Sequence, residues 1–86
     1  MWQRRDDWIG SEVEDSFVMI NLEHGAYVDL NHSAAYAWDL LAVPRDEDGL
    51  VAAMLARYAV DADHCRAMVQ ALLIDMADKE LIAAVG

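Results

Sequence analysis

The chain has 86 residues, of which 57% are hydrophobic, and a formal net charge of −10 at pH 7. This length allows one domain with a small core, and the charge argues against nucleic-acid or anionic-lipid binding, which both need a basic surface. A single cysteine excludes an internal disulfide, and the lack of a secretory pattern or a long apolar run predicts a cytoplasmic protein without a membrane span.

The first part of the chain predicts an antiparallel sheet of three strands. Residues 1–15 are polar and mixed; Trp8, Ile9 and Val13 indicate a weak first strand, and the rest of this segment is expected to be partly mobile. In a strand over residues 16–22 the side chains would alternate between the two faces and be apolar on both. This predicts a central strand covered on two sides. A turn at Gly25 then leads into a third strand over 26–30.

Three helices follow, and each begins behind a residue that favours the N-cap position. Asn31 precedes a helix over 32–42 that Pro44 ends, Asp46 precedes one over 47–58, and Asp61 precedes one over 62–79. The apolar stripes at helical spacing are Ala34, Ala35, Trp38 and Leu41 in the first; Leu50, Val51, Met54, Leu55 and Tyr58 in the second; and Cys65, Met68, Val69, Leu72, Leu73 and Met76 in the third. Residues 81–85 form a short apolar tail, either a helix extension or a docked strand.

This order of elements predicts an α+β fold of winged-helix-like type, with an N-terminal three-stranded antiparallel sheet followed by three helices. Trp38, on the inner face of the first helix, is expected in the core. Within the third helix, Val69 and Leu72 lie near the middle of the stripe, and Met68 and Leu73 lie at its two flanks.

The residues that could carry chemistry form no pattern typical of a catalytic or metal site. His24, His32 and His64 are scattered, and His64 and the adjacent Cys65 point about 100° apart on a helix. Cys65 lies on the predicted core face, where a thiol is usually inert. Four scattered glycines cannot build a phosphate-binding loop. We therefore expect no metal, no cofactor and no enzymatic activity.

A strand that ends in Gly25-x-Tyr27-x-x-Leu30-Asn31 runs directly into a helix with alanines, Trp38, Leu40 and Leu41, followed by Pro44. Over residues 16–82 this ordered set resembles the PqqD-like family, also called RiPP recognition elements. One departure is Glu80, at the end of the third helix, where family members often carry glycine before the final Leu-Ile pair.

The resemblance implies a non-catalytic protein that binds the leader of a ribosomally made precursor peptide and delivers it to a separate protease or modifying enzyme. In that family the leader adds a strand to the hairpin edge, in a groove beside the third helix. Carried over, the peptide-binding residues would be Ala26, Tyr27, Val28, Asp29 and Leu30 on the edge, with Cys65, Met68, Val69, Leu72, Leu73 and Met76 on the helix.

The acidic surface suits a basic partner, and a monomer or weak dimer is expected. Stand-alone members of this size occur in lasso-peptide clusters, in pyrroloquinoline-quinone synthesis and beside radical enzymes, and the short length and Asp/Ala-rich helices favour the lasso type slightly. Two other functions stay open from the residues alone: a structural or dimerisation subunit of a biosynthetic complex, and a winged-helix transcriptional regulator.

Overall fold

The computed structural model describes all 86 residues. Five strands and three helices follow one another in the order β1 Trp2–Arg4, β2 Trp8–Val13, β3 Ser16–Asn21, β4 Tyr27–Leu30, α1 His32–Leu40, α2 Glu47–Arg57, α3 Ala62–Asp78 and β5 Ile82–Ala84. The predicted α+β fold, an antiparallel three-stranded sheet followed by three helices, is confirmed. No helix combines the length and the apolar character that crossing a membrane requires.

The three-stranded sheet has the order β2-β3-β4, with β3 in the centre and both pairings antiparallel. A tight turn joins β2 to β3, and its residue Glu14 has a φ of 56°. The β3–β4 turn contains Gly25 at a φ of 68°, the left-handed conformation that glycine adopts without steric cost. The sequence-based prediction of a hairpin turn at this glycine is therefore confirmed.

A second, two-stranded sheet joins the two ends of the chain, which sequence reasoning did not foresee. β1 pairs antiparallel with β5, so that Trp2 lies opposite Ala84 and Arg4 opposite Ile82. Trp2 also exchanges two backbone hydrogen bonds with Arg45, of 2.7 and 2.9 Å. Residues 2–4 are thus a strand and not a mobile segment, and the apolar tail is a docked strand and not a helix extension.

All three predicted N-caps are present and make the expected contact. Asn31, Asp46 and Asp61 each accept a hydrogen bond from the backbone N–H three residues later, over 2.8, 2.7 and 2.7 Å. Each bond satisfies a donor that the first turn of a helix leaves free. The helices begin where the sequence predicts and end one or two residues earlier than predicted.

α3 ends in a turn at Glu80, whose φ of 60° is left-handed. The N–H of Glu80 donates to the carbonyl of Ala77 over 3.0 Å, and the N–H of Leu81 donates to that of Met76 over 2.9 Å. This pair of bonds is the Schellman motif, whose left-handed residue is most often glycine. The position that departs from the family pattern is therefore the one where glycine would be favoured for a physical reason.

The core is one cluster of buried side chains to which all three helices, the three-stranded sheet and β5 contribute. Met19, Leu41, Leu50, Met54, Met76 and Leu81 are among its fully buried members. Trp38 is buried as predicted, and the guanidinium of Arg4 lies 4.4 Å from the centre of its ring. The expectation that β3 is covered on both faces is wrong, because Ile20 on its other face is 43% exposed.

Candidate functional site

The outer strand β4 has one edge that no other strand pairs with. The N–H of Asn21 donates to the carbonyl of Ala26 over 2.7 Å, and antiparallel pairs alternate between hydrogen-bonded and non-hydrogen-bonded positions. Val28 and Leu30, opposite Met19 and Phe17, therefore bond to β3. It follows that the N–H and C=O groups of Tyr27 and Asp29 point away from the sheet and form its free edge.

The side chains of β4 alternate between the two faces of the sheet. Leu30 is buried and Val28 is half-buried, and both are packed on the core. Tyr27 is 74% exposed and Asp29 is exposed, on the opposite face. Of the five strand residues predicted to bind peptide, Ala26 lies just before the strand and bonds to β3, so it adds no group to the free edge.

The helix residues predicted to bind peptide separate into a buried and a half-buried group. Cys65, Val69 and Met76 are fully buried, and Leu73 is 5% exposed. Met68 and Leu72 are half-buried and packed against the rim of the core. The predicted places of Leu72 at the centre and Leu73 at a flank are therefore wrong, because α3 is rotated so that Leu73 points inward and Leu72 lies at the margin.

The flank of α3 opposite Met68 and Leu72 is occupied by other contacts. Arg66 reaches from this flank to the start of α2, where it donates to Glu47 over 2.6 Å and to Asp48 over 2.8 Å. These hydrogen bonds to Asp48 and Glu47 raise the pKa of the Arg66 guanidinium. Further along the same flank, Trp2, Leu73, Ile74 and Ala77 line an apolar depression of about 440 Å³ together with Glu47, Gln70 and Asp78.

A buried asparagine that sequence reasoning missed holds the β3–β4 turn in place. The Asn21 side-chain oxygen accepts hydrogen bonds from the backbone N–H groups of Glu23 and His24, over 2.9 and 2.8 Å, and its amide donates to Asp7 over 3.1 Å. Asparagine at the end of a strand before a turn is the signal that could have identified it. By fixing this turn, Asn21 also fixes where β4 and its free edge lie.

The remaining candidates for chemistry are kept apart by the fold. Cys65 is buried, and its thiol donates to the carbonyl of Val51 over 3.7 Å. The structure brings together no group of three or more His, Cys, Asp or Glu side chains that could hold a metal ion. The arrangement offers a strand edge with an apolar margin, which suits the binding of an extended chain.

Comparison with known proteins gives a consistent result. The family model for coenzyme PQQ synthesis protein D (PqqD) matches residues 16–82. A solved structure described as TbiB1 in complex with the TbiA(beta) leader peptide has 25% sequence identity and a TM-score of 0.81, with 98% of each chain covered. A second, lasso peptide synthetase B1 complexed with the leader peptide, shares the fold at 16% identity and a TM-score of 0.79, with 96% of this chain and 98% of that chain covered. No curated protein matches the sequence.

Proposed function

The chain belongs to the PqqD family, and on that premise we propose that it binds the leader segment of a ribosomally made precursor peptide. The leader adds as a further strand to the free edge of β4. The observation that carries this proposal is the unpaired edge itself, where Tyr27 and Asp29 direct N–H and C=O groups away from the sheet. A similar protein, TbiB1, is described in complex with a leader peptide.

Strand addition explains why an edge of this kind is retained. An unpaired edge is a template for pairing with other chains, and proteins that have no use for one usually cover or shorten it. Here the edge leads directly into α1 and stays open. Main-chain hydrogen bonds to the added strand give affinity that is independent of its sequence, and pockets for alternate side chains give specificity.

The inward side chains of the added strand need an apolar surface, and the proposal assigns this role to the half-buried residues Val28, Met68 and Leu72. They lie at the margin of the core, so a side chain placed on them removes further apolar surface from water. In this proposal the buried part of the α3 stripe forms the core under this margin; its residues are Cys65, Val69, Leu73 and Met76. The opposite flank of α3 is the alternative binding surface for these side chains, and its exposed residue Ile74 provides a control position.

The protein itself catalyses nothing in this proposal and delivers the bound precursor to a separate protease or modifying enzyme of lasso-peptide biosynthesis. Its net charge of −10 favours a precursor or an enzyme with a basic surface. Incubation with the precursor is expected to leave the mass of the peptide unchanged. Cleavage or modification by the pure protein would contradict this part of the proposal.

The edge is tested by placing proline at one position on each of the two free edges of the three-stranded sheet. Proline removes one N–H, which disrupts pairing but leaves the fold intact at an edge position. Asp29→Pro alters the free edge of β4. Glu12→Pro is the control on the opposite edge. The N–H of Leu22 donates to the carbonyl of Asp7 over 3.1 Å, and bonded and non-bonded pairs alternate along β2, so the N–H of Glu12 faces the other free edge. Asp29→Asn controls for the lost charge.

The probes are fluorescein-labelled synthetic leader peptides: the TbiA(beta) leader, and the leader of any precursor peptide whose gene neighbours that of this protein. We expect fluorescence anisotropy to show binding to the wild type, about tenfold weaker binding to Asp29→Pro, and near wild-type binding to Glu12→Pro. Circular dichroism is expected to be similar for all variants. Equal loss in both proline variants, or no binding by the wild type, would overturn the proposal.

A further inference from the structure

The face of the three-stranded sheet that points away from the helices carries an apolar row that ends at the free edge. Ile9 lies directly opposite Ile20, and Ile20 directly opposite Tyr27. The three side chains are 52%, 43% and 74% exposed. Since neighbouring strands lie about 4.8 Å apart, the row crosses the whole sheet, and a fourth strand at β4 would extend it by one more side chain.

A second row on the same face, two residues further along each strand, ends at the same edge in a carboxylate. Ser11 lies opposite Val18, and Val18 opposite Asp29. Asp29 is exposed and makes no ion pair or side-chain hydrogen bond. The outward positions of the three strands include no lysine or arginine. The carboxylate at the edge is therefore uncompensated on its own face.

The pleat determines which peptide residues meet these two side chains. The free hydrogen-bonding groups of β4 belong to Tyr27 and Asp29, and their side chains both point to the outer face. A strand that bonds to these groups places two of its own residues beside them, separated by one residue that points inward. This spacing of two holds whether the peptide runs parallel or antiparallel to β4.

We propose that the outer face of the sheet selects the bound peptide by a two-residue pattern, with an apolar residue beside Tyr27 and a lysine or arginine beside Asp29. This inference rests on the proposed function and specifies its ligand. Cross-strand pairs of an aromatic with an apolar side chain, and of opposite charges, are favourable. A second copy of this chain is a poor occupant of the edge, because two chains of net charge −10 repel one another.

The order of the pattern also reports the direction of the peptide. β4 runs from Tyr27 to Asp29, so an antiparallel peptide presents its basic residue first and its apolar residue two positions later. A parallel peptide presents them in the reverse order. The same selection experiment therefore identifies both the composition and the orientation of the added strand.

The test is selection of a displayed library of random 12-residue peptides on the wild type and on three variants. For the wild type we expect enrichment of a basic and an apolar residue separated by one position. Asp29→Lys is expected to replace the preference for a basic residue by a preference for an acidic one. Tyr27→Thr, which keeps a residue that favours strands, is expected to remove the preference for an apolar residue. Ile9→Thr, in the same row but two strands from the edge, is the matched control and is expected to leave the pattern unchanged.

Synthetic peptides from the enriched set then give the size of the effect. Exchanging the basic residue for glutamate is expected to weaken binding to the wild type about two- to fivefold and to strengthen binding to Asp29→Lys by a similar factor. Enriched peptides without the spaced pair, or a pair that Asp29→Lys does not alter, would overturn this inference and leave the proposed function standing. A library that enriches no peptide would also overturn this inference, whereas the proposed function is decided by the anisotropy titration with the leader peptides.

Discussion

The indole Nε1 of Trp8 donates a hydrogen bond to the main-chain carbonyl of Glu80 over 2.9 Å. Trp8 is the first residue of β2, and Glu80 is the left-handed residue that ends α3. The bond ties the beginning of the three-stranded sheet to the end of the longest helix, although 72 residues separate the two partners. The conformation of Glu80 is therefore part of how the sheet and α3 are held together.

Glu80→Gly is expected to stabilise the protein. A side chain with a Cβ is strained at a φ of 60°, whereas glycine is not, and the carbonyl that Trp8 binds is retained. We expect the free energy of unfolding to rise by about 0.5–1 kcal/mol and the Tm by about 2–8 °C, measured by thermal and urea denaturation. Glu23→Gly, at a turn residue without positive φ, is the control and should bring no gain; a lower Tm for Glu80→Gly would contradict the prediction.

Leu73 is expected to contribute to the stability of the fold, and Leu72 to the binding of the leader. Leu73→Ala removes a buried side chain and should cost about 2–5 kcal/mol of stability, a large part of the ~3–5 kcal/mol expected for so small a core. Leu72→Ala is expected to leave the protein folded and to weaken leader binding about fivefold or more, which corresponds to ~1 kcal/mol. Melting curves and peptide titrations measure both effects.

Ile74→Ala is the matched control for these two variants, because Ile74 is 65% exposed and lies on the opposite flank of α3. It should change neither stability nor binding. Weaker binding of Ile74→Ala together with unchanged binding of Leu72→Ala would place the peptide on the other flank of α3.

Stability is expected to fall in acid through Asp7. Burial opposes ionisation of this carboxyl, but hydrogen bonds from Asn21, the backbone and Arg5 outweigh burial and hold its pKa below the ordinary value of 3.8. The stabilisation is therefore present above the ordinary value and is lost as the pH falls through the lower folded-state pKa. Between pH 6 and pH 2.5, Asp7→Asn should lose less stability in urea titrations than the wild type loses.

Asp6→Asn is the control for this pH experiment, since it makes the same charge change one residue away at an exposed position. Its acid dependence should follow that of the wild type. If Asp7→Asn and the wild type lost stability in parallel over this pH range, the Asn21–Asp7 contact would not carry the acid dependence.

Leader binding is expected to weaken as salt rises from ~50 to ~500 mM, because exposed charge pairs are screened over roughly a Debye length. The fall should be smaller for Asp29→Asn, which lacks the carboxylate at the free edge. Fluorescence anisotropy at several salt concentrations measures both slopes. An affinity that does not change with salt would assign the acidic surface a role in solubility alone.

Much of the fold can be read from local signals in the sequence. Asn31, Asp46 and Asp61 act on a donor only three residues away, so the amino acids themselves determine where the helices begin. Gly25 marks a turn for the same local reason, and the ordered set from Gly25 to Pro44 was enough to predict the family. The strands of the three-stranded sheet were also predicted to within one or two residues, apart from the extent of the weak first strand.

Only the tertiary structure decided the features that depend on distant partners. The pairing of β1 with β5 joins opposite ends of the chain, and no local pattern encodes it. The apolar stripe of α3 is wide enough to pack in more than one rotation. Contacts with α2 and β5, not helical periodicity, therefore buried Leu73 and left Leu72 at the margin. Likewise, alternation shows that Tyr27 and Val28 face opposite sides, but the hydrogen-bond register with β3 determines which backbone groups are free to bind a peptide.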